Sequence, residues 1–413
     1  YRKVLQLAIE EIENANFPTK SLLQSMLAEM YQNYLQNNRW KFQNRTTVVD
    51  FKSEDIRTWT IEQLVNTSGE LYFASLENKK TRQIEIEDFE AILTKGMNNE
   101  GIRPTLYDFL ANRAIDYFKN DQAYLTQPEN QFQIDNPDLF KSSGAFAEMT
   151  IETGDSTSFK YKTLLVFQEL ITWHQDAKMK IGNITAEAQK PWVIADLQRL
   201  KFVYDNATLP NKNELYLNAL SQWLMSTVNE NDAEVWQAIA QFWYQNGQQN
   251  LILDEKEESK IEYKDVITIN KNNPTNQWDW KKAHFACQQA TEKYSNTFAG
   301  KQCQALQQNI EQKNLNLQLE QVSLPEKPLL VLAEYKNVEN AFLKVIRFND
   351  QRREALQNAI KEEQRANNNQ VLNYLNGLPT VQETSNNLPQ IGDYRQHTTE
   401  LMLEGLPLSQ YCV

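Results

Sequence analysis

At Asn314 the spacing of apolar residues changes character. Upstream they recur every three or four positions; from there Leu315, Leu317, Leu319, Val322 and Leu324 read as the alternation of a half-buried strand. A helix must bury one stripe and an antiparallel strand one face, so the two stretches need different partners. This implies a multidomain chain, α then β: a helical array over residues 1–313 and an antiparallel β-sandwich over 314–413. A length of 413 residues agrees, because single cores stop growing beyond about 250–300 residues.

Start signals punctuate the helical part. Phe17-Pro18-Thr19 opens a helix through about Trp40, with Leu22, Leu23, Met26, Leu27, Met30, Tyr31 and Tyr34 as its apolar stripe. Trp59, Ile61, Leu64, Leu71 and Phe73 mark a second run, and Phe89, Ile92 and Leu93 a third. Arg103-Pro104-Thr105 predicts a helix with proline in its first turn, and Leu106, Leu110, Ala114 and Tyr117 are its buried face. The polar stretch 121–154 is too long for a loose loop and needs anchors, for which Phe132, Phe140 and Phe146 are the candidates. Helical spacing resumes over 159–175, 191–206 and 213–228.

Next comes a tetratricopeptide-like pattern. Trp236, Ile239-Ala240, Trp243 and Gly247 fit the first helix of such a unit, where small residues let paired helices approach and glycine ends the helix. Ala283, Cys287 and Ala290 fit the second helix, although an insertion over 251–280 separates the halves and Ser295 stands where proline is usual. The repeat-packing residues are therefore Ala240, Trp243, Gly247, Ala283 and Ala290, and a helix over 298–310 should stack on the pair. In the β part, strands are expected at 314–324, 328–335, 341–348, 396–403 and from 408, interrupted by a helical insertion near 350–376. Tyr1 falls inside an amphipathic pattern and 408–413 runs out in strand-like sequence, so the chain is expected to be a piece of a longer one and the β part to be cut short.

Residues suited to catalysis are sparse. Only His174, His284 and His397 occur. His284 and Cys287 share a helix face, but a tetrahedral zinc site needs further ligands that no neighbouring pair supplies. No Gly-x-Ser-x-Gly elbow, protease-type cysteine context or phosphate-cradling glycine loop is present. The acidic runs at 85–90 and 254–262 lack the frame of a calcium loop and read as solvated surface. Trp236, Phe242, Trp243 and Tyr244 read as helical core rather than a ligand platform. No catalytic residue, metal ligand or cofactor-binding residue is assigned, and the chain reads as a binding or assembly module rather than an enzyme.

Cys287 and Cys303 fall on consecutive predicted helices, which leaves two readings: a disulfide, stabilising by about 3 kcal/mol on the chain-entropy model, or two buried thiols. Cys412 is left over. A formal net charge of −12 repels polyanions, which counts against nucleic acid and anionic lipid and favours protein partners, basic ones included. No apolar run approaches the roughly 18 residues of a membrane span.

Several stretches carry a resemblance. They are the run from Leu22-Leu23 to Tyr34 with Asn38-Arg39-Trp40 and Asn44-Arg45-Thr46, then Asp55-Ile56-Arg57-Thr58-Trp59, Glu87-Asp88-Phe89-Glu90-Ala91-Ile92-Leu93, Arg103-Pro104-Thr105-Leu106-Tyr107-Asp108-Phe109-Leu110 and Leu200-Lys201-Phe202-Val203-Tyr204-Asp205-Asn206. The chain resembles the N-terminal region of the alpha-2-macroglobulin-like proteins of Bacteroidetes-type bacteria, and Leu406-Pro407-Leu408-Ser409-Gln410-Tyr411 is similar to the final-strand motif of a macroglobulin domain. The resemblance implies a tetratricopeptide-like alpha solenoid leading into a first macroglobulin domain. It also implies a periplasmic or cell-envelope location, a parent with a lipid anchor, and a part in protease trapping or envelope defence. The partners it implies are proteases or other domains of the same parent. The family's thioester motif, Cys-x-Glu-Gln, is absent from this chain, as is a bait segment, so no active residue carries over. An oxidising envelope would favour the Cys287–Cys303 bridge. The alternative is a general helical-repeat scaffold that binds a peptide or protein.

Overall fold

The computed structural model describes residues 2–42, 55–94, 96, 101–120, 130–181, 185–227, 231–253, 260–269, 275–362 and 368–413. Among the described residues helices dominate and the strands fall in the C-terminal part, beginning at Asn314. Two compact units emerge: residues 1–241, 262–271 and 289–303, and residues 242–261, 272–288 and 304–413. Residue 313/314 thus marks the change from helix to strand, whereas the unit that holds the strands also takes in helical segments.

The first unit is a succession of helices, most packed on the one before: α1 (Arg2–Asn14), α2 (Thr19–Phe42), α3 (Ile61–Glu77), α4 (Leu106–Phe118), α5 (Ser143–Glu148), α6 (Phe159–Ile181), α7 (Ala186–Asn206) and α8 (Lys212–Leu224). On α2, Leu22, Leu27 and Tyr31 are buried as the stripe predicts, but Met26 is 52% exposed. Its place inside is taken by Ser25 and Ala28, because Arg113 donates to Ser25 Oγ at 2.7 Å and needs a small polar neighbour there. Helix α3 begins with a reciprocal box in which Thr60 caps Gln63 N and Gln63 returns to Thr60 N.

The third expected helix, around Phe89 and Ile92, does not form. Ile86–Phe89 is a single 3₁₀ turn and Ile92 is 69% exposed. The backbone here is drawn into a bridge between Glu85 and Thr105, with Ile86 N donating to Pro104 O and Leu106 N to Ile84 O. That bridge also moves the start of α4: Pro104 lies before the cap, and Thr105 with Asp108 forms the capping box. Leu106, Leu110, Ala114 and Tyr117 are buried, as their spacing predicts. Likewise α7 starts before Pro191, at a cap made by Thr185 on Ala188 N, and the proline sits inside the helix.

Of the polar stretch after α4, residues 121–129 lie outside the described residues. In the rest, Phe140 and Phe146 are buried and Phe132 packs on Tyr161 with centroids 5.7 Å apart. Arg199, fully buried on α7, fixes this segment by donating to Leu139 O at 2.6 Å and Lys141 O at 3.1 Å, with Phe146 against its guanidinium. Asp196 balances the charge at 2.5 Å and accepts the Trp223 indole N–H at 2.7 Å. Helix α9 (Asp232–Gly247) enters beside α10 (Tyr263–Ile267), where Trp236 meets Tyr263 edge to face.

The second unit holds parts of α9, α11 (Asp279–Tyr294) and α12 (Phe298–Glu311), together with all the strands. Two antiparallel sheets have the orders β1-β2-β5 and β4-β3-β6, with β1 Asn314–Leu319, β2 Leu329–Lys336, β3 Asn340–Arg347, β4 Thr380–Asn387, β5 His397–Leu403 and β6 Tyr411–Cys412. Val331, Ala333 and Tyr335 of β2, Leu401 and Leu403 of β5, and Ala341, Leu343 and Val345 of β3 share one core. The insertion expected near 350–376 is a helix pair, α13 (Asp350–Glu362) and α14 (Asn368–Asn376). Strand β1 stops five residues short of Leu324, so Val322 and Leu324 are 85% and 69% exposed in the loop beyond the Leu319–Val331 pair rather than in the core.

Candidate interaction site

A gathering of polar and aromatic side chains lies in the second unit, among segments 242–247, 276–288, 304–312 and 388–397. Gly247 ends α9 and is buried beneath the Trp280 indole; a methyl group added there would collide with the ring. The indole donates to Tyr244 O at 3.2 Å and stacks on the Tyr244 ring at 5.8 Å. Lys336 and Arg395 cover it at 4.8 and 5.4 Å, so cations from the strand region close over an aromatic from the helices. Burial lowers the pKa of both cations.

Arg395 also donates to the carbonyls of Asn276 at 2.5 Å and Gln277 at 3.0 Å, and its own N–H is held by Asp393 Oδ1 at 2.9 Å. Asp393, 1% exposed, further meets His397 Nε2 at 2.7 Å. Neighbouring Tyr394 takes a left-handed φ of 61° and lies flat on His284, whose Nε2 is 2.6 Å from Glu311 Oε1. Asn337 donates to Ile310 O at 2.8 Å, and Tyr335 to Pro389 O at 2.7 Å. Between them opens a cavity of about 310 Å³ lined by Glu311, Lys313, Tyr335, Asp393, Arg395 and His397 among others. Asp279, fully buried, holds Asn246 and Lys282; burial pushes its carboxyl pKa up despite the lysine at 3.2 Å.

Each of the three histidines has its Nε2 against a carboxylate, including His174 on Asp108 at 2.7 Å in the buried interior of the first unit. Those nitrogens are committed to a partner. Among the described residues no group of three His, Cys, Asp or Glu side chains is placed to hold a metal ion.

Trp243, Gly247 and Ala283 fall in the second unit and Ala240 and Ala290 in the first; Ala240, Ala283 and Ala290 have no exposed surface, and Trp243 lies under Lys282 at 4.1 Å. No disulfide joins Cys287, Cys303 or Cys412; the first two are buried and the third is half-buried. Sequence reasoning missed Trp280, Asp393, Tyr394 and Arg395. The Trp278-Asp279-Trp280 pair at the end of the 251–280 insertion was the available signal, since two tryptophans flanking an acid seldom sit in solvent. No helix of the described residues is long and apolar enough to cross a membrane. Compared with protein-family models, with curated proteins and with solved structures, the chain gives no match.

Proposed function

We propose that this chain is a noncatalytic interaction module of an alpha-2-macroglobulin-like protein of the bacterial periplasm or cell envelope. In this reading a tetratricopeptide-like array carries a macroglobulin-type domain and contributes to protease trapping or envelope defence through protein contacts. The observation that carries it is the pair of three-stranded antiparallel sheets sharing one core after a helical part, with the Leu406-Pro407-Leu408-Ser409-Gln410-Tyr411 motif leading into β6 on β3. The test is the coding sequence after Val413. Further β-sandwich domains are expected there, and a stop codon or an unrelated domain would refute the reading.

A helical scaffold that binds peptides is the second reading, favoured by a polar cleft in the first unit between residues 130–136 and 149–154. Its test is capture of a stoichiometric partner by residues 1–413 from envelope extract, with subsequent identification and reconstitution from purified components; failure of reconstitution counts against it.

A further inference from the structure

Between α4 and α6 two irregular segments, 130–136 and 149–154, line a cleft of about 400 Å³, large enough for a ligand of several heavy groups. They converge at one end, where a methyl group on Gly154 would sit 4.0 Å from Asn130 Cβ. Along the second segment burial alternates, with Met149, Ile151 and Thr153 half-buried and Thr150, Glu152 and Gly154 exposed, which is the period of a strand. The first segment makes one isolated bridge: Ile134 pairs in parallel with Ala207, and its carbonyl accepts from Thr208 N at 3.1 Å.

In a strand the N–H and C=O of successive residues point to opposite edges. With Ile134 spent on residues 207–208, the backbone groups of Gln133 and Asp135 point the other way; those two residues line the cleft and Ile134 does not. Within the described residues the backbone N–H and C=O groups of Gln133, Asp135, Thr150, Ile151 and Glu152 make no hydrogen bond to another backbone group. Backbone groups without a backbone partner therefore lie on both sides of the cavity, the condition for pairing with an extended segment of another chain. The side chains add a charge preference, because Asp135 and Glu152 line the cleft and no Lys, Arg or His does. The chain's net charge of −12 acts in the same direction.

We propose that this cleft receives an extended peptide bearing basic side chains, which pairs with the backbone groups beside it and sets its cations against Asp135 and Glu152. The proposal rests on the reading of the chain as a protein-binding module and names its partner class. The test is fluorescence anisotropy at low salt with a labelled heptapeptide alternating lysine and valine, a glutamate–valine counterpart, and a lysine–valine peptide N-methylated at alternate residues. The lysine peptide should bind about tenfold or more tightly than either control. Asp135→Lys with Glu152→Lys should invert the charge preference, and hydrogen exchange should slow at 133–135 and 150–152 on binding. Both substitutions are at exposed positions, and circular dichroism checks that the fold is kept. Equal affinity for the three peptides, or binding that survives the charge inversion, would overturn the cleft. In the second case the protein-binding reading stands, because a partner has bound elsewhere.

Discussion

Gly247→Ala tests the packing of the second unit most directly. The added methyl would occupy the position of the Trp280 ring, and the ring has little room to retreat. Tyr244 stacks on it, Lys336 and Arg395 cover it, and its N–H is bonded to Tyr244 O. Forcing a methyl into a packed site costs about 1–3 kcal/mol, and displacing the indole forfeits roughly another 1 kcal/mol of hydrogen bonding. Replacing glycine by alanine returns at most about 1 kcal/mol of backbone entropy, and less at the last residue of a helix. The net destabilisation is about 2 kcal/mol, which for a unit of this size corresponds to a fall of about 4–8 °C in Tm. Urea and thermal unfolding of the single variant, of Trp280→Ala and of the double variant form a cycle. If the collision is the cause, Gly247→Ala becomes neutral or slightly stabilising once Trp280 is gone, and the coupling is about 2 kcal/mol. An unchanged cost in the Trp280→Ala background, or a neutral Gly247→Ala in the parent, would refute the argument.

Arg199→Met should cost about 3–5 kcal/mol in urea unfolding, because it leaves the fully buried Asp196 carboxylate and the carbonyls of Leu139 and Lys141 without their cation; Asp196→Leu combined with it should recover part of the loss. Glu169 is held below its ordinary 4.5: burial opposes this, but Lys79, Arg82 and Tyr107 outweigh it. A depressed carboxylate stabilises the fold above pH 4.5 and loses that contribution as pH falls through its folded value. The Tm gap between the parent and Glu169→Gln should therefore be widest near neutrality and close in acid, and a gap that is constant with pH would exclude the linkage. Thiol counting under native conditions should find Cys412 alone reactive, and under denaturing, nonreducing conditions all of Cys287, Cys303 and Cys412; only Cys412 after denaturation would establish a Cys287–Cys303 bridge.

The parts of the fold that could be read in advance are those in which a local signal and the tertiary contact agree. Leu106, Leu110, Ala114 and Tyr117 are buried because a 3.6-residue period describes one face, whatever that face meets. The change at Asn314 was visible for the same reason. Where two local signals competed, the longer-range bond decided. Phe89, Ile92 and Leu93 have helical spacing, yet the Glu85–Thr105 bridge takes the backbone first. Pro104 and Pro191 look like first-turn prolines, but the hydroxyls of Thr105 and Thr185 satisfy the orphan amides and set the boundaries. Strand β4 was missed because Thr380–Asn387 has no buried residue; it is held by its pairing with β3 rather than by an apolar face, so period-two hydrophobicity had nothing to register.

The interaction site was hidden for a related reason. Gly247 and Trp243 announced a close helix approach, but the approaching group, Trp280, comes from an insertion that repeat spacing treats as an interruption. Asp393 and Arg395 carry no motif, and their role exists only once Asn276 and Gln277 present carbonyls more than a hundred residues away. Side chains that bond across such separations lock a joint because their partners are buried and have no water to fall back on. The cleft at 130–154 is the opposite case: among the described residues, backbone groups of 133, 135 and 150–152 lie beside the cavity without a backbone partner, and Asp135 and Glu152 line it with no basic residue. Arg395 and Asp393 spend their polar groups on neighbours within the chain, whereas the backbone of 133, 135 and 150–152 has no backbone partner, so binding is to be sought at the second place.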